Sequence, residues 1–314
     1  MIVTFTGNTS LDQILFVPTL AREDTVRASR TYESMGGKGT DVSWILGKLG
    51  VPSLALGFIA GRNGERITEM LHERGVETDF VAVGGESRRN VVIIDQDGVG
   101  QVTYTAPTLH VEEKHVRALL PRYRAALGRA TCVVLAGTLP GGLPPSLYID
   151  LISMARAQGV PVVFDASEPF LSSGLKAGPT FVKPNLPELE ALVGHPLRTV
   201  EAAFSAGLEL KRRHGTSPIL SLGEWGGLAI LPERTYHIPP LKVEVVNSAG
   251  AGDGVLAGLA TSVSGGYPVE EGIELGFAIA AAVLLSPRTA DFDPADVERF
   301  CTEISLIPYK GEQC

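Results

Sequence analysis

Asn247-Ser248-Ala249-Gly250-Ala251-Gly252-Asp253-Gly254-Val255-Leu256-Ala257-Gly258-Leu259 is the stretch from which the rest of the chain is read. The turn Gly250-Ala251-Gly252 is made of small residues, which lets the backbone pass close to a ligand. Asp253 follows at once, and Val255, Leu256, Leu259, Ala260 and Val263 then recur with helical spacing. The turn therefore opens a helix, where unpaired N–H groups and the positive dipole end favour an anion. An anion cradle beside a carboxylate suits phosphoryl transfer. Amides hold the charge that spreads over the transferred group, and the carboxylate deprotonates the attacking hydroxyl. The helix dipole is expected to keep Asp253 ionised. Glycine turns and first-turn acids also open many ordinary helices, so the remaining chain has to decide.

Outward from that stretch, the chain has 314 residues and a hydrophobic fraction of 44%, enough for a sizeable core. The net charge is −8 and no basic tract is present, which makes nucleic acid and anionic membrane poor partners. Cys132, Cys301 and Cys314 form no CxxC pair and no zinc-ligand spacing, which fits a reduced cytoplasmic protein. The chain begins with a strand rather than a charged-then-apolar leader, and the apolar run 275–286 is too short to span a bilayer.

From residue 51 onward strands and amphipathic helices alternate. Strands are expected at 53–58, 131–135, 161–164, 180–182 and 218–221, with helices at 64–74, 112–127, 144–158, 186–193 and 200–213. This rhythm predicts an α/β fold: a three-layer, doubly wound, mostly parallel sheet covered on both faces. Runs 228–231 and 235–238 have no helix between them and should add an antiparallel edge. Helices from Gly252 and Val269 are expected to close the domain. The first strand, Ile2 to Phe5, leads to a polar turn, Asn8 to Asp12, at a strand end where ligands bind in such sheets. Asp12 can accept from two sugar hydroxyls, though a solvated turn acid has the same local pattern. That turn lacks the GxGxxG of a dinucleotide site, which counts against a dehydrogenase.

Four β-rich runs do not fit the βα series: 14–17, 25–35, 91–94 and 101–105, the last two joined by a turn at 95–98. They are read as a small inserted β-sheet, from about 13–35 and 88–106, forming a lid over the site of a single domain spanning 1–314. A small sheet with an open apolar face needs a partner, which points to a homodimer through it.

Further polar clusters sit at element ends. Gly36-Gly37-Lys38-Gly39 precedes a helix at 40–49 and fits an anion or sugar site, or simply a tight turn. Arg88-Arg89-Asn90 leads into the lid hairpin, and an arginine fork suits phosphate. In Lys183-Pro184-Asn185-Leu186-Pro187-Glu188, Asn185 and Glu188 can hold Mg²⁺ through its waters, and the same spacing is a capping box. Ser221-Leu222-Gly223-Glu224-Trp225-Gly226 can admit a nucleotide, or be a plain hairpin turn.

Together these elements resemble the ribokinase/PfkB family of carbohydrate kinases over essentially the whole chain. The 247–259 stretch is similar to that family's C-terminal signature and Gly36–Gly39 to its N-terminal one. Lys183 to Leu189 matches KPNxxEL, and Ala136 to Pro140 is similar to SGSLP. Asn247-Ser248 before GAGD, Gly-Gly-Lys-Gly, and Ser87-Arg88-Arg89-Asn90 resemble the branch of 1-phosphofructokinases and tagatose-6-phosphate kinases. The resemblance implies a ribokinase-like fold and an ATP- and Mg²⁺-dependent kinase. Asp253 would be the base, and the amides of Gly250, Ala251 and Gly252 the anion hole. Asn185 and Glu188 would act on Mg²⁺ and its waters. Lys183, Asn185, Ser221, Gly223, Gly226 and Gly252 would lie with ATP. Asp12, Gly36, Gly37, Lys38, Asp41, Arg88 and Asn90 would hold the acceptor.

Four positions depart from the family pattern. Asp41 stands for the usual Asn, Gly254 for Ser, and Thr138 for the Ser of SGSLP. Thr25 stands where some sugar-phosphate kinases carry a basic residue, with Arg27 two positions away. A ketohexose monophosphate such as fructose 1-phosphate is the first expected acceptor. An unphosphorylated sugar, polyol or nucleoside is the second, and a non-catalytic nucleotide or sugar sensor is the rival from another class.

Overall fold

The computed structural model describes residues 1–20, 25–97 and 100–311. In chain order the strands and helices are β1 (Ile2–Thr6), β2 (Ser10–Val17), β3 (Arg30–Gly36), α1 (Lys38–Lys48), β4 (Ser53–Ile59), α2 (Gly61–Glu73), β5 (Glu77–Thr78), β6 (Val81–Ala82), β7 (Arg88–Asp95), β8 (Gly100–Tyr104), α3 (Glu113–Leu127), β9 (Cys132–Ala136), α4 (Ser146–Ala157), β10 (Val162–Asp165), α5 (Phe170–Leu175), β11 (Phe181–Val182), α6 (Leu186–Val193), α7 (Val200–His214), β12 (Ser217–Ser221), β13 (Gly227–Ile230), β14 (Thr235–Ile238), α8 (Ala251–Gly265), α9 (Val269–Leu285), α10 (Pro294–Glu303) and β15 (Ile307–Pro308).

The larger sheet runs β15-β14-β13-β12-β11-β10-β9-β1-β4-β5, with β6 on the flank of β4. Pairing is parallel from β12 to β5 and antiparallel from β12 to β15, as expected for the edge. Successive strand side chains point to opposite faces, and the core divides accordingly. Ile2, Val134, Val163 and Ile219 pack with α1, α8 and α9 on one face. Val3, Leu135, Phe164 and Leu220 pack with α3, α4 and α7 on the other. This is the three-layer arrangement read from the sequence. The buried ring of Tyr148 binds the two halves of its layer edge-on, against Phe5 at 6.1 Å and Phe164 at 5.0 Å.

The second sheet has the order β3-β2-β7-β8. Its register builds one end of the cleft. Ser10 lies between Gly36 and Arg88, and Asp12 between Ser34 and Asn90. Further along the same face, Ile14, Phe16, Val92 and Ile94 form a small apolar cluster with Tyr32 and Val246. Gln101 of β8 reaches across, its Oε1 accepting from Ser248 N at 3.1 Å. The sheet thus docks on the segment that leads into Gly250.

Several boundaries differ from the expectations. Asp12 is not in a turn but inside β2, because Ser10, Asp12, Ile14 and Phe16 share one face of a longer strand. The strand expected from Thr25 starts at Arg30, and the exposed residues 25–29 carry no strand. The 95–98 turn ends at Gly98, outside the described residues, although the β7–β8 hairpin around it is present. α10 follows the two helices expected to close the chain, and Ser221–Gly226 contains a short 3₁₀ turn, Gly223–Trp225, rather than a plain hairpin. No helix among the described residues is long and apolar enough to cross a membrane.

Candidate active site

β10, β11 and β12 bring Asp165, Lys183 and Ser221 to one cavity, which is also lined from the starts of three helices: α1 after Gly37, α6 after Asn185 and α8 after Gly250. Gly250 has φ 85°, and a Cβ on it would come 2.5 Å from Ala290 N, so only glycine fits. This contact presses the turn against the loop after α9, whose Ala290 N donates to Ala249 O at 3.2 Å. Gly36 is fitted in the same way, its Cα facing the Asp12 carboxylate and Ser10 Oγ with no room for a side chain.

Gly250, Ala251, Gly252 and Asp253 line a cavity of about 750 Å³. Its polar end also holds Lys38, Asp165, Lys183 and Asn185, while Leu241, Val243, Phe277 and Leu284 make the other end apolar. Ser221, Gly223 and Gly226 lie along the same cavity. Such a shape takes a ligand with a charged end and a flat apolar end.

The polar end is one connected network. Asp165, at the end of β10, binds Lys38 Nζ through Oδ1 at 2.6 Å and Lys183 Nζ through Oδ2 at 2.9 Å. Lys38 also reaches Glu188 Oε1 at 3.2 Å. The other Glu188 oxygen accepts from Asn185 N at 3.0 Å, and Asn185 Oδ1 accepts from Glu188 N at 2.8 Å. The capping box is therefore present, and it fixes Asn185 at the cavity wall and Glu188 beside Lys38. Lys183 lies against Gly252: a Cβ there would be 3.3 Å from its Nζ. Burial alone would push Asp165 up, but Lys183 and Lys38 outweigh it and hold the carboxyl below its ordinary range. Burial would likewise lower Lys38, yet Asp165, Glu188 and Asp253 raise it.

Asp253 is buried, and its carboxyl is pushed up to about 7. Burial is the main cause; Lys38 opposes it, Asp165 adds to it, and Lys183 opposes again. This corrects the expectation that the helix dipole keeps Asp253 ionised at an ordinary carboxylate value. In a closed pocket desolvation is larger than the dipole's contribution.

Across from Asp253 lies a second polar group on the small sheet. Asp12 Oδ1 accepts from Asn90 Nδ2 at 2.9 Å, and Oδ2 accepts from Thr289 Oγ1 at 3.3 Å. Burial raises Asp12, against the pull of Asn90, Thr289 and Arg88. Arg88 is half-buried and faces Asp12, with its Nε buried and unpaired among the described residues. Asp41 is buried in the first turn of α1, with Asp253 and Asp12 as its charged neighbours. Thus Asp12, Gly36, Asp41, Arg88 and Asn90 come together. Lys38 was expected with them, but its ammonium is turned to the carboxylates of Asp165 and Glu188 on the cavity side.

Two participants were not read from the sequence. Asp165 could have been found, since an acid closing the apolar strand Val162–Asp165 stands where ligands bind. Thr289 could not, because its role depends on the 287–292 loop folding back: its carbonyl also accepts from Ser34 Oγ at 2.8 Å. Gly254, one of the departures, has a packing reason. A side chain there would meet Ile279 at 2.8 Å and Ala280 N at 2.9 Å in the tight α8–α9 crossing. Thr138 Oγ1 accepts from Asn8 Nδ2 at 3.3 Å, so the hydroxyl of the Ser it replaces is kept.

Comparison with known proteins agrees with this geometry. The family model described as pfkB family carbohydrate kinase matches residues 3–296. The 1-phosphofructokinase of Bacillus subtilis is 34% identical over 286 residues, covering 91% of this chain and 93% of that protein. A Thermotoga maritima structure described as a possible 1-phosphofructokinase superposes with a TM-score of 0.90 at 29% identity, covering 99% of this chain and 100% of that one. A ribokinase of Arabidopsis thaliana complexed with ribose and ATP gives a TM-score of 0.78 at 22% identity, over 96% of this chain and 98% of that one, a likeness of fold alone. A glycine turn opening a helix with a buried acid in its first turn, two lysines on the same cavity and a small second sheet, together with a family match over nearly the full length, lead to one conclusion: the chain belongs to the pfkB family of carbohydrate kinases.

Proposed function

We propose that the protein transfers the terminal phosphoryl group of ATP to an exposed hydroxyl of a ketohexose monophosphate, with fructose 1-phosphate as the first candidate. The observation that carries the acceptor class is Arg88. It is a half-buried guanidinium with an unpaired Nε, placed beside the hydroxyl-binding pair Asp12 and Asn90 and away from the nucleotide cavity. A buried unpaired donor is costly unless a ligand completes it, and an arginine fork fits a phosphate. The names of the relatives point the same way.

In this reading the acceptor hydroxyl oxygen attacks the γ-phosphorus and the bond to the bridging oxygen of ADP breaks. The hydroxyl proton passes to the Asp253 carboxylate. The N–H groups of Gly250, Ala251 and Gly252 and the Lys183 ammonium take up the charge on the transferred group. Asp165 holds the lysines in place, and the apolar end of the cavity receives the base. The hard oxygen donors of Asn185 and Glu188 are already engaged by each other and by Lys38, which fits Mg²⁺ held through its water shell rather than by direct ligation. Phosphate charge would be neutralised by Mg²⁺ when it is bound with ATP. The small sheet acts as the lid, excluding water when both substrates are in place.

Removing the guanidinium tests the acceptor class. Arg88→Ala is expected to raise KM for the phosphorylated acceptor by about 10–100-fold, the equivalent of one charge-assisted hydrogen bond. KM for ATP should stay unchanged. An unchanged acceptor KM points instead to a neutral sugar.

The outer face of the lid sheet carries Leu15, Val91 and Ile93, half-buried, and Val102 and Tyr104, exposed by 36% and 61%. We propose that a second copy covers this face in a homodimer. Sedimentation should give a dimer for the wild type and a monomer for Ile93→Asp; a wild-type monomer would remove the proposal. A cytoplasmic setting fits the ATP requirement and the free thiols of Cys132 and Cys301.

A further inference from the structure

Asp41 stands in the first turn of α1, where a carboxylate suits the helix dipole, yet nothing nearby neutralises it. The residue is 4% exposed, and its Oδ1 is buried with no partner among the described residues. The backbone is fixed, Asp41 N donating to Gly37 O at 2.9 Å. The charges that face it have its own sign: Asp253 from α8 and Asp12 from β2.

The surrounding cations are committed elsewhere. Lys38, on the same helix, is held by Asp165 and Glu188. Arg88 of β7 faces Asp12. Arg66 of α2 and Glu33 of β3 pair with each other outside the lid sheet, while Lys48 of α1 and Arg74 are held by Asp291. β1 and β4 beneath the helix carry no ionisable side chain, and β9 carries Cys132, level with Ile2 at the far end. An ionised Asp41 would be a buried carboxylate beside two others, without a cation. Burial first, and then Asp253 and Asp12, push it well above the ordinary carboxylate range.

The acceptor has to lie between Asp12, which takes its hydroxyls, and Asp253, which takes its proton, and Asp41 is flanked by both. We propose that Asp41 is a specificity-determining residue kept as a neutral carboxylic acid, which donates its O–H to a hydroxyl oxygen of the acceptor. Asp12 beside it accepts from acceptor hydroxyls, so the pair reads opposite ends of a hydroxyl pattern. Ionisation of Asp41 removes that donor and adds a third negative charge next to a phosphorylated acceptor. Affinity for the acceptor should then fall by about tenfold per pH unit above the Asp41 titration. An asparagine at this position, as is usual in the family, offers a permanent N–H donor of the same shape. The proposal rests on the kinase reading above for the identity of the ligand, but not for the protonation itself.

Two measurements on wild type and Asp41→Asn test it. The wild-type-minus-variant infrared difference at about pH 6, where ordinary carboxyls are ionised and the Asp253 acid common to both proteins cancels, should show a protonated-acid carbonyl band belonging to Asp41. This arm needs no turnover, so silence on every acceptor would defeat the kinase reading and leave the neutral acid standing. The kinetic arm follows KM for the acceptor against pH. The variant should lose the alkaline rise in acceptor KM, while the acid limb of kcat/KM set by Asp253 stays in place. Absence of the band overturns the proposal. So does a wild-type acceptor KM that stays level as the band titrates away, because Asp41 would then be a buried acid with no hand in binding.

Discussion

Asp253→Asn is expected to lower kcat by about 10²–10⁴-fold, the usual contribution of a positioned general base, with the fold intact. The amide keeps the shape and cannot take the proton. The wild type should also lose activity below neutral pH, because a base pushed up to about 7 is progressively protonated there. The stability effect has the opposite sign. Below the ordinary value of 3.8 the folded and unfolded chains both hold the proton, and between 3.8 and about 7 the folded chain alone keeps it. Ionising Asp253 therefore costs folding stability as pH rises through that window. Asp253→Asn should match the wild type in thermal unfolding at low pH and melt higher than it above neutral pH. A loss of kcat below about tenfold would remove Asp253 from the role of base.

Asp165→Ala is expected to destabilise the protein by about 3–5 kcal/mol, read from denaturant unfolding, because removing one partner of a buried ion pair leaves the other uncompensated. Lys183 is 3% exposed and Asp165 1%, so solvent screens this pair little. Two ammonium groups lose their anchor at once, which makes this acid more consequential than the surface pairs such as Arg117–Glu113. Activity carries an independent signature. Asp165 raises the Asp253 carboxyl, so its removal should move the acid limb of kcat/KM to lower pH, further so if the freed lysines turn to Asp253. An unmoved acid limb with normal stability would mean that the network is not coupled as the distances indicate.

What could be read from the sequence was what local pattern controls. α6 runs Leu186–Val193 and β14 Thr235–Ile238, as the periodicity and the turn residues required. The glycine-rich helix start at 250–252 and the capping box at Asn185 and Glu188 are local chemistry, and they lie where the motifs put them. What could not be read depends on approach in space. The Asp253 value follows from burial in the folded cavity, which no window of sequence encodes. Lys38 looks like an acceptor ligand from its place in Gly36–Gly39, but Asp165 and Glu188, more than a hundred residues later, claim its ammonium. Asp12 looked like a turn acid because a short strand-end cluster hides the period of a longer strand, and only the pairing with Ser34 and Asn90 reveals it. The departures were informative in different ways. Gly254 is explained by the α8–α9 contact, which removes one motive for a non-catalytic reading, whereas Asp41 puts a titratable group into the pocket itself.

Release of ADP from the purified protein with MgATP, across phosphorylated ketoses, free hexoses, ribose, polyols and nucleosides, separates a sugar-phosphate kinase from its rivals. Strong turnover is expected on one ketohexose monophosphate, fructose 1-phosphate first, and little on the neutral compounds. Turnover confined to a neutral acceptor, or ATP binding without turnover on any of them, would contradict it.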